Sequence, residues 1–187
     1  MLNKKVMIVS LGCDKNLVDT EKMLGILADE GCTFTDDEAQ AQVIIVNTCC
    51  FIGDAKEESI QNILDLARFK TEGKLEALIA TGCLSQRYQD EMLEELPELD
   101  GILGISAWHT IADVVRDALE GKRPRNLMST GVLNSHTTKR LLTTGGHYAY
   151  LKIAEGCNKR CTYCVIPSVR GAYVSVPMEE LEKEARE

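Results

Sequence analysis

Short apolar runs alternate with segments of helical period over the first two thirds of the chain, and that alternation limits the folds open to it. Val6-Met7-Ile8-Val9-Ser10-Leu11 stops at Gly12-Cys13, and Val43-Ile44-Ile45-Val46, the clearest strand signal, stops at Asn47-Thr48-Cys49. Ala77-Leu78-Ile79-Ala80-Thr81 stops at Gly82-Cys83. Short, apolar and closed by turn formers, these read as buried strands. Gly101-Ile102-Leu103-Gly104-Ile105 reads as a further strand and Cys32-Thr33-Phe34-Thr35 as a weak one. Between them, Leu17 to Ala28 sets Val18, Met23, Leu24 and Leu27 at helical spacing, closed by Gly31. Asp54 to Phe69 puts Ile60, Ile63, Leu64 and Ala67 on one face, with Asp54 as the expected N-cap. Ser85 is expected to cap a helix reaching Leu96, and another runs from Ala107 to Leu119. Strands alternating with helices predict an α/β fold, a doubly wound parallel sheet with helices on both faces.

In such sheets ligands collect beyond the carboxyl ends of the strands. Cys13, Cys49 and Cys83 each stand one or two residues past an expected strand, 36 and 34 residues apart, and so fall along one rim. Gly12 and Gly82 precede two of them, where a bare backbone permits a tight turn. A single cysteine at such a place is commonly a packing residue. Three at the same structural phase point to a three-thiolate metal site, with packing as the alternative. Cys32 and Cys50 lack that phase and read as small core residues.

A second trio lies in Glu155-Gly156-Cys157-Asn158-Lys159-Arg160-Cys161-Thr162-Tyr163-Cys164, spaced C-x3-C-x2-C. Three thiolates on one short loop form a soft ligand set that selects iron–sulfur clusters or zinc. A closed zinc site or a plain electron-transfer cluster takes four protein ligands. Three on a cubane leave one iron open to a small molecule. The alternative is half of a zinc site completed by a distant ligand. Eight cysteines with clustered thiols and no signal segment argue against a disulfide framework.

From Lys122 to Gly146 the periodicity fails, and the polar stretch reads as a crossover linker in which His136 and its basic neighbours are solvated, with contact to substrate as the alternative. His109 likewise reads as a surface residue. His147-Tyr148-Ala149-Tyr150-Leu151-Lys152-Ile153-Ala154 alternates polar and apolar and is expected to be a strand feeding the cysteine loop. A helix opening at Pro177 is expected to turn Met178, Leu181 and Ala185 inward. The expected organisation is therefore an α/β domain over 1–121, a linker over 122–146 and the start of a second domain over 147–187. From His147 to Ser175 the cations Lys152, Lys159, Arg160 and Arg170 face Glu155 alone, a local positive field suited to an anionic cluster and to a ligand carboxylate. Arg170 is the candidate ligand contact, with a plain surface arginine as the alternative. A net charge of −8 argues against a broad nucleic-acid surface in this portion. No apolar run approaches the ~20 residues of a membrane helix, and the chain does not open on a signal region, so a cytoplasmic location is expected.

The pattern Cys157-x3-Cys161-x-Tyr163-Cys164 resembles the cluster loop of radical S-adenosylmethionine enzymes. Three further stretches extend the likeness: Ser10-Leu11-Gly12-Cys13-Asp14-Lys15-Asn16-Leu17-Val18-Asp19, Val46-Asn47-Thr48-Cys49-Cys50-Phe51-Ile52 and Thr81-Gly82-Cys83-Leu84-Ser85-Gln86-Arg87-Tyr88. With them the chain is similar to the front part of a methylthiotransferase. The resemblance implies two 4Fe-4S clusters: an auxiliary one on Cys13, Cys49 and Cys83, and one on Cys157, Cys161 and Cys164 whose open iron binds and cleaves S-adenosyl-L-methionine. Tyr163 would lie near the adenine, and Arg170, singled out above by charge, is the candidate substrate or cofactor contact. The auxiliary cluster would deliver SCH3 to a substrate carbon radical. The second domain would be the first strand, cluster loop and start of a helix of a partial α/β barrel.

Gly12-Cys13-x-Lys15-Asn16-Leu17-Val18-Asp19 is more similar to the branch that modifies the β-carbon of an aspartate in the twelfth small-subunit ribosomal protein than to the tRNA-modifying branch. Asp14, Thr20 and Cys50 depart from the usual residues without removing a ligand. The resemblance also implies a reducing electron donor, a C-terminal domain for RNA or protein, and no membrane partner. Being short of a whole barrel, the chain alone is expected neither to bind S-adenosylmethionine well nor to turn over. The readings of other kinds are a tRNA methylthiotransferase, a non-catalytic iron–sulfur electron carrier and a zinc-binding interaction module.

Overall fold

The computed structural model describes residues 1–130 and 139–186; His136, assigned above to a solvated linker, lies outside them. Six parallel strands form one sheet: β1 (Lys5–Ser10), β2 (Thr33–Phe34), β3 (Val43–Thr48), β4 (Ala77–Gly82), β5 (Gly101–Leu103) and β6 (Arg125–Asn126). Their order is β2-β1-β3-β4-β5-β6. The direction of winding therefore reverses between β1 and β3, the switch point where such sheets open a crevice. Every residue of β3 and β4 is buried, as strands covered on both faces must be. Side chains alternate across them: Ile44, Val46, Leu78 and Ala80 join one core, while Val43, Ile45, Ala77 and Ile79 join the other.

Helices α1 (Asp14–Asp29) and α5 (Ile111–Leu119) cover the second core, with Met23, Leu27, Ile111 and Val115 turned onto the sheet. Helices α2 (Gly53–Ala67), α3 (Phe69–Glu72) and α4 (Cys83–Glu95) cover the first, through Ile63, Leu66, Phe69, Leu84 and Met92. The doubly wound α/β arrangement expected from the alternation is the one formed. Two helix starts differ. The N-cap position of α2 is Ile52, not Asp54, which sits in the first turn with its charge toward the positive helix end. Helix α4 begins at Cys83 itself, and Ser85 is buried inside it instead of capping it.

The stretch expected as a solvated linker does more than cross over. Arg125–Asn126 pairs with β5 as the sixth strand. Residues 139–143 then lie across α1. A Cβ on Gly25 would stand 1.6 Å from the Lys139 carbonyl oxygen, so the crossing requires a glycine there. Leu141 donates its N–H to the Glu21 carbonyl at 3.1 Å. The Glu21 carboxylate, fully buried, accepts from Arg140 Nε at 2.7 Å and from the Thr143 N–H at 2.7 Å. Polar composition concealed this because the segment is held by ion pairs and backbone bonds, not by an apolar stripe.

Beyond it, β7 (Ala154–Glu155) pairs antiparallel with β8 (Val174–Ser175), and α6 (Ile166–Arg170) and α7 (Met178–Arg186) complete the described chain. The strand expected over His147–Ala154 is reduced to its last residue. Alternation makes a strand only where a partner supplies the ladder, and here the partner is two residues long. Helix α7 follows Pro177 as expected, yet it buries none of its residues, and Met178 is exposed. Glu184 ties it down, to Lys22 at 3.3 Å and Arg140 at 2.9 Å.

Candidate metal centres

The carboxyl ends of β1, β3 and β4 carry Cys13, Cys49 and Cys83 to one rim of the sheet, across the switch point. Register sets the approach: Ser10 pairs with Asn47 and Thr48 with Gly82, so the three loops leave adjacent strands almost level. Gly12 and Gly82 both have φ +92°. A Cβ on Gly12 would lie 2.8 Å from Cys49 Cβ and 2.9 Å from Cys49 Sγ. One on Gly82 would lie 2.5 Å from the Thr48 carbonyl oxygen. Any side chain at either position would force the cysteine-bearing loops apart.

Cys13 is the N-cap residue of α1 and Cys83 the first residue of α4. Both thiols therefore stand at the positive ends of helices, beside backbone N–H groups that no carbonyl of the same helix can reach. Cys49 is buried, its N–H donated to the buried Ser59 hydroxyl at 3.0 Å. Burial pushes the Cys83 thiol up to about 11, against the pull of the nearby Arg170 guanidinium. An isolated Cys83 therefore stays protonated, and a metal must displace that proton to bind. Among the described residues no three His, Cys, Asp or Glu side chains converge as one metal ion would require. A cluster has a looser demand, since each thiolate takes its own iron.

Cys157, Cys161 and Cys164 lie on the loop between β7 and α6. Gly156 opens that loop at φ +70°, and a Cβ there would be 2.1 Å from the Ala172 carbonyl oxygen. The Cys157 N–H donates to the Gly171 carbonyl at 3.1 Å. The Lys159 N–H points at Cys157 Sγ, 3.4 Å away. One backbone donor of the loop is thus turned onto a cysteine sulfur, the contact that an anionic sulfur would use. Cys161 is exposed and Cys157 and Cys164 are half-buried. Tyr163 is 87% exposed, with its ring in solvent.

Arg170 is not a surface residue. It is 5% exposed and reaches back to the sheet rim. Nη1 pairs with Glu155 at 2.9 Å and lies 3.8 Å from Asp19; Nη2 donates to Asn16 Oδ1 at 2.5 Å and to Cys83 Sγ at 3.7 Å. Lys152 pairs with Asp19 and with Glu155, and Lys15 with Glu155. Glu155 is held down to about 2: burial opposes this, but Lys152, Arg170 and Lys15 prevail. The same carboxylates keep buried Lys152 charged. The positive field expected over His147–Ser175 is accordingly smaller than a count of charges suggests. Lys152 and Arg170 are spent on Asp19 and Glu155, leaving Lys159 and Arg160 exposed.

Six expected cysteine ligands thus fall in two sets, and the buried network joins them. Asn16 and Asp19 stand outside the expected site residues. Their signal was polar type at buried phase, since Asn16, Asp19, Thr20 and Glu21 are all buried on α1 beside its apolar stripe. Cys32 and Cys50 are buried as expected, each thiol pushed up by burial. His109 is half-buried, its ring edge-on to Trp108. No helix among the described residues is long and apolar enough to cross a membrane.

Curated relatives match nearly the whole chain. A protein of Lachnoclostridium phytofermentans named "Ribosomal protein uS12 methylthiotransferase RimO" is 53% identical over 182 residues, covering 97% of this chain and 41% of the relative. Proteins of the same name from Desulforamulus reducens and Geobacter sulfurreducens are 51% and 50% identical, covering 96% and 98% of this chain and 41% of each relative. The chain spans about two fifths of the length of these relatives. The family profile described as "Uncharacterized protein family UPF0004" matches residues 5–104, which hold strands β1 to β5 and the rim that carries Cys13, Cys49 and Cys83. By that match over more than half of its length, the chain belongs to the UPF0004 family.

Proposed function

We propose that the chain is the cluster-bearing front part of a radical S-adenosylmethionine methylthiotransferase that places SCH3 on the β-carbon of an aspartate in ribosomal protein uS12. The observation that carries this is the pair of cysteine trios: one on the rim at the β1/β3 switch point, the other on a loop stitched to that rim by Arg170. Cys13, Cys49 and Cys83 would hold one 4Fe-4S cluster and Cys157, Cys161 and Cys164 another. When bound, such clusters supply reductive cleavage of S-adenosylmethionine and delivery of sulfur, chemistry belonging to the cofactor.

The chain's own residues provide placement and charge. Gly12 and Gly82 let the rim loops close up, and the positive ends of α1 and α4 would face the anionic cluster held by Cys13 and Cys83. The Lys159 N–H takes negative charge from Cys157. Tyr163, with its ring free, would stack on a flat base such as adenine. The 147–187 stretch would begin a partial barrel, and 1–121 would form the auxiliary-cluster domain. An electron donor and a uS12 surface would be engaged by the whole protein in the cytoplasm, and RNA by a C-terminal domain.

Anaerobic iron and sulfide quantification tests the ligand sets. The reconstituted chain should hold about eight irons, and Cys13→Ala and Cys157→Ala about four each, one 4Fe-4S cluster being lost in either. Stoichiometric zinc without sulfide would refute the clusters. Mass spectrometry of uS12 and tRNA from a deletion strain decides the substrate: loss of the modified aspartate supports the proposal, loss of a tRNA modification alone overturns it.

A further inference from the structure

The guanidinium of Arg170 belongs to the segment after the second cysteine trio but sits within the first. Its Nη2 lies 3.7 Å from Cys83 Sγ and donates to Asn16 Oδ1 at 2.5 Å. Asn16, 1% exposed, is the centre of the rim. Its Nδ2 donates to the Leu11 carbonyl at 2.8 Å and the Thr48 carbonyl at 3.0 Å, and its N–H donates to the Cys13 carbonyl at 2.9 Å. One amide thus ties the loops of Cys13 and Cys49, and its oxygen is handed to the arginine that touches Cys83. The surrounding charges do not cancel. Among the described residues the network pairs three cations, Lys15, Lys152 and Arg170, with two carboxylates, Asp19 and Glu155, and Arg170 is the cation that stands against Cys83.

We propose that Arg170 is a positioning and tuning residue for the Cys13/Cys49/Cys83 centre: it fixes Cys83 through Asn16 and donates to the Cys83 sulfur. It is thus supplied to the first centre by the segment that carries the second. This rests on the cluster assignment made above. A donor and a positive charge at a ligating sulfur stabilise the more negative, reduced state of a cluster. Arg170 therefore makes the first cluster easier to reduce, and it does so only when α6 is docked on the rim.

The test uses the whole 187-residue chain with Cys157, Cys161 and Cys164 replaced by alanine, reconstituted anaerobically and titrated with reductant under EPR. Arg170→Gln leaves two cations against two carboxylates, so no charge is stranded. It should load the same iron but shift the reduction equilibrium about tenfold toward the oxidised form, 59 mV for a one-electron couple. Arg170→Lys, which keeps charge without the fork, should recover part of that shift. A fully loaded Arg170→Gln protein with an unchanged potential overturns the proposal.

Should that variant not fold, the parent decides. With guanidino-¹⁵N arginine, the reduced cluster should show a ¹⁵N coupling in pulsed EPR that persists in Arg87→Lys. Absence of coupling in the parent overturns the proposal. A parent that takes up neither iron nor sulfide overturns the cluster assignment itself, a result distinct from an unshifted potential.

Discussion

Arg140 donates to the Glu21 carboxylate through Nε at 2.7 Å, joining residues 119 apart in sequence. Arg140 also reaches the Tyr150 carbonyl oxygen at 2.5 Å and Glu184 at 2.9 Å. One side chain thereby secures the crossing segment, the approach to the cysteine loop and the last helix onto α1. This strap and the Arg170 network both land on α1, and Val169 of α6 adds an apolar contact by joining the first core.

Removing the buried acceptor should release the strap. Breaking a buried pair leaves an uncompensated charge and costs about 3–5 kcal/mol, and Glu184 would offset part of that. Glu21→Ala is expected to lose about 3 kcal/mol in urea unfolding and to become sensitive to proteolysis over residues 139–150. Gly25→Ala should give the same proteolytic pattern, because its Cβ displaces the Lys139 carbonyl.

Acid should act through the same contact. Burial pushes the Glu21 carboxyl upward, but hydrogen bonds from Thr143 and Arg140 outweigh it and hold the group below its ordinary 4.5. The unfolded chain therefore takes up this proton first. The stabilisation is complete above 4.5 and declines as pH falls through the lower folded value. Glu155 adds a loss of the same sign between 4.5 and about 2. Melting temperatures followed downward from neutral pH should fall in this window, and less steeply in Glu21→Gln.

Glycines at the two rims should fail separately. Gly82→Ala places a Cβ 2.4 Å from Asn47 Oδ1 at φ +92°, ψ −154°, a region essentially reserved for glycine and costing about 1–3 kcal/mol. It should lose iron bound by Cys13, Cys49 and Cys83 while the Cys157 loop still loads. Gly156→Ala should show the reverse. Iron analysis of each in backgrounds lacking one trio measures this.

Cys32→Ala and Cys50→Ala should keep the full iron and sulfide complement. Both sulfurs lie in apolar cores on opposite faces of the sheet. Each change should cost about 1 kcal/mol of stability, near the common value for a point mutation. Loss of iron in Cys50→Ala would make it a ligand and undo the assignment of Cys49.

Strand runs, helical phases and the placing of Cys13, Cys49 and Cys83 at strand ends were legible in the sequence because they rest on local periodicity. So was the C-x3-C-x2-C loop, whose cysteines are neighbours along the chain. Pairing was not legible. Whether His147–Ile153 forms a strand depends on the length of its partner, and whether Arg140 and Arg170 are solvated depends on acids more than a hundred residues away or across a turn. Buried ion pairs leave no periodic trace, since each charge reads as surface until its counter-charge is located. The sequence alone therefore determined where the sulfurs are carried. Only the tertiary structure decided that Asn16 and Arg170 bring the two sets together, because folding alone removes those groups from water and makes each the other's partner.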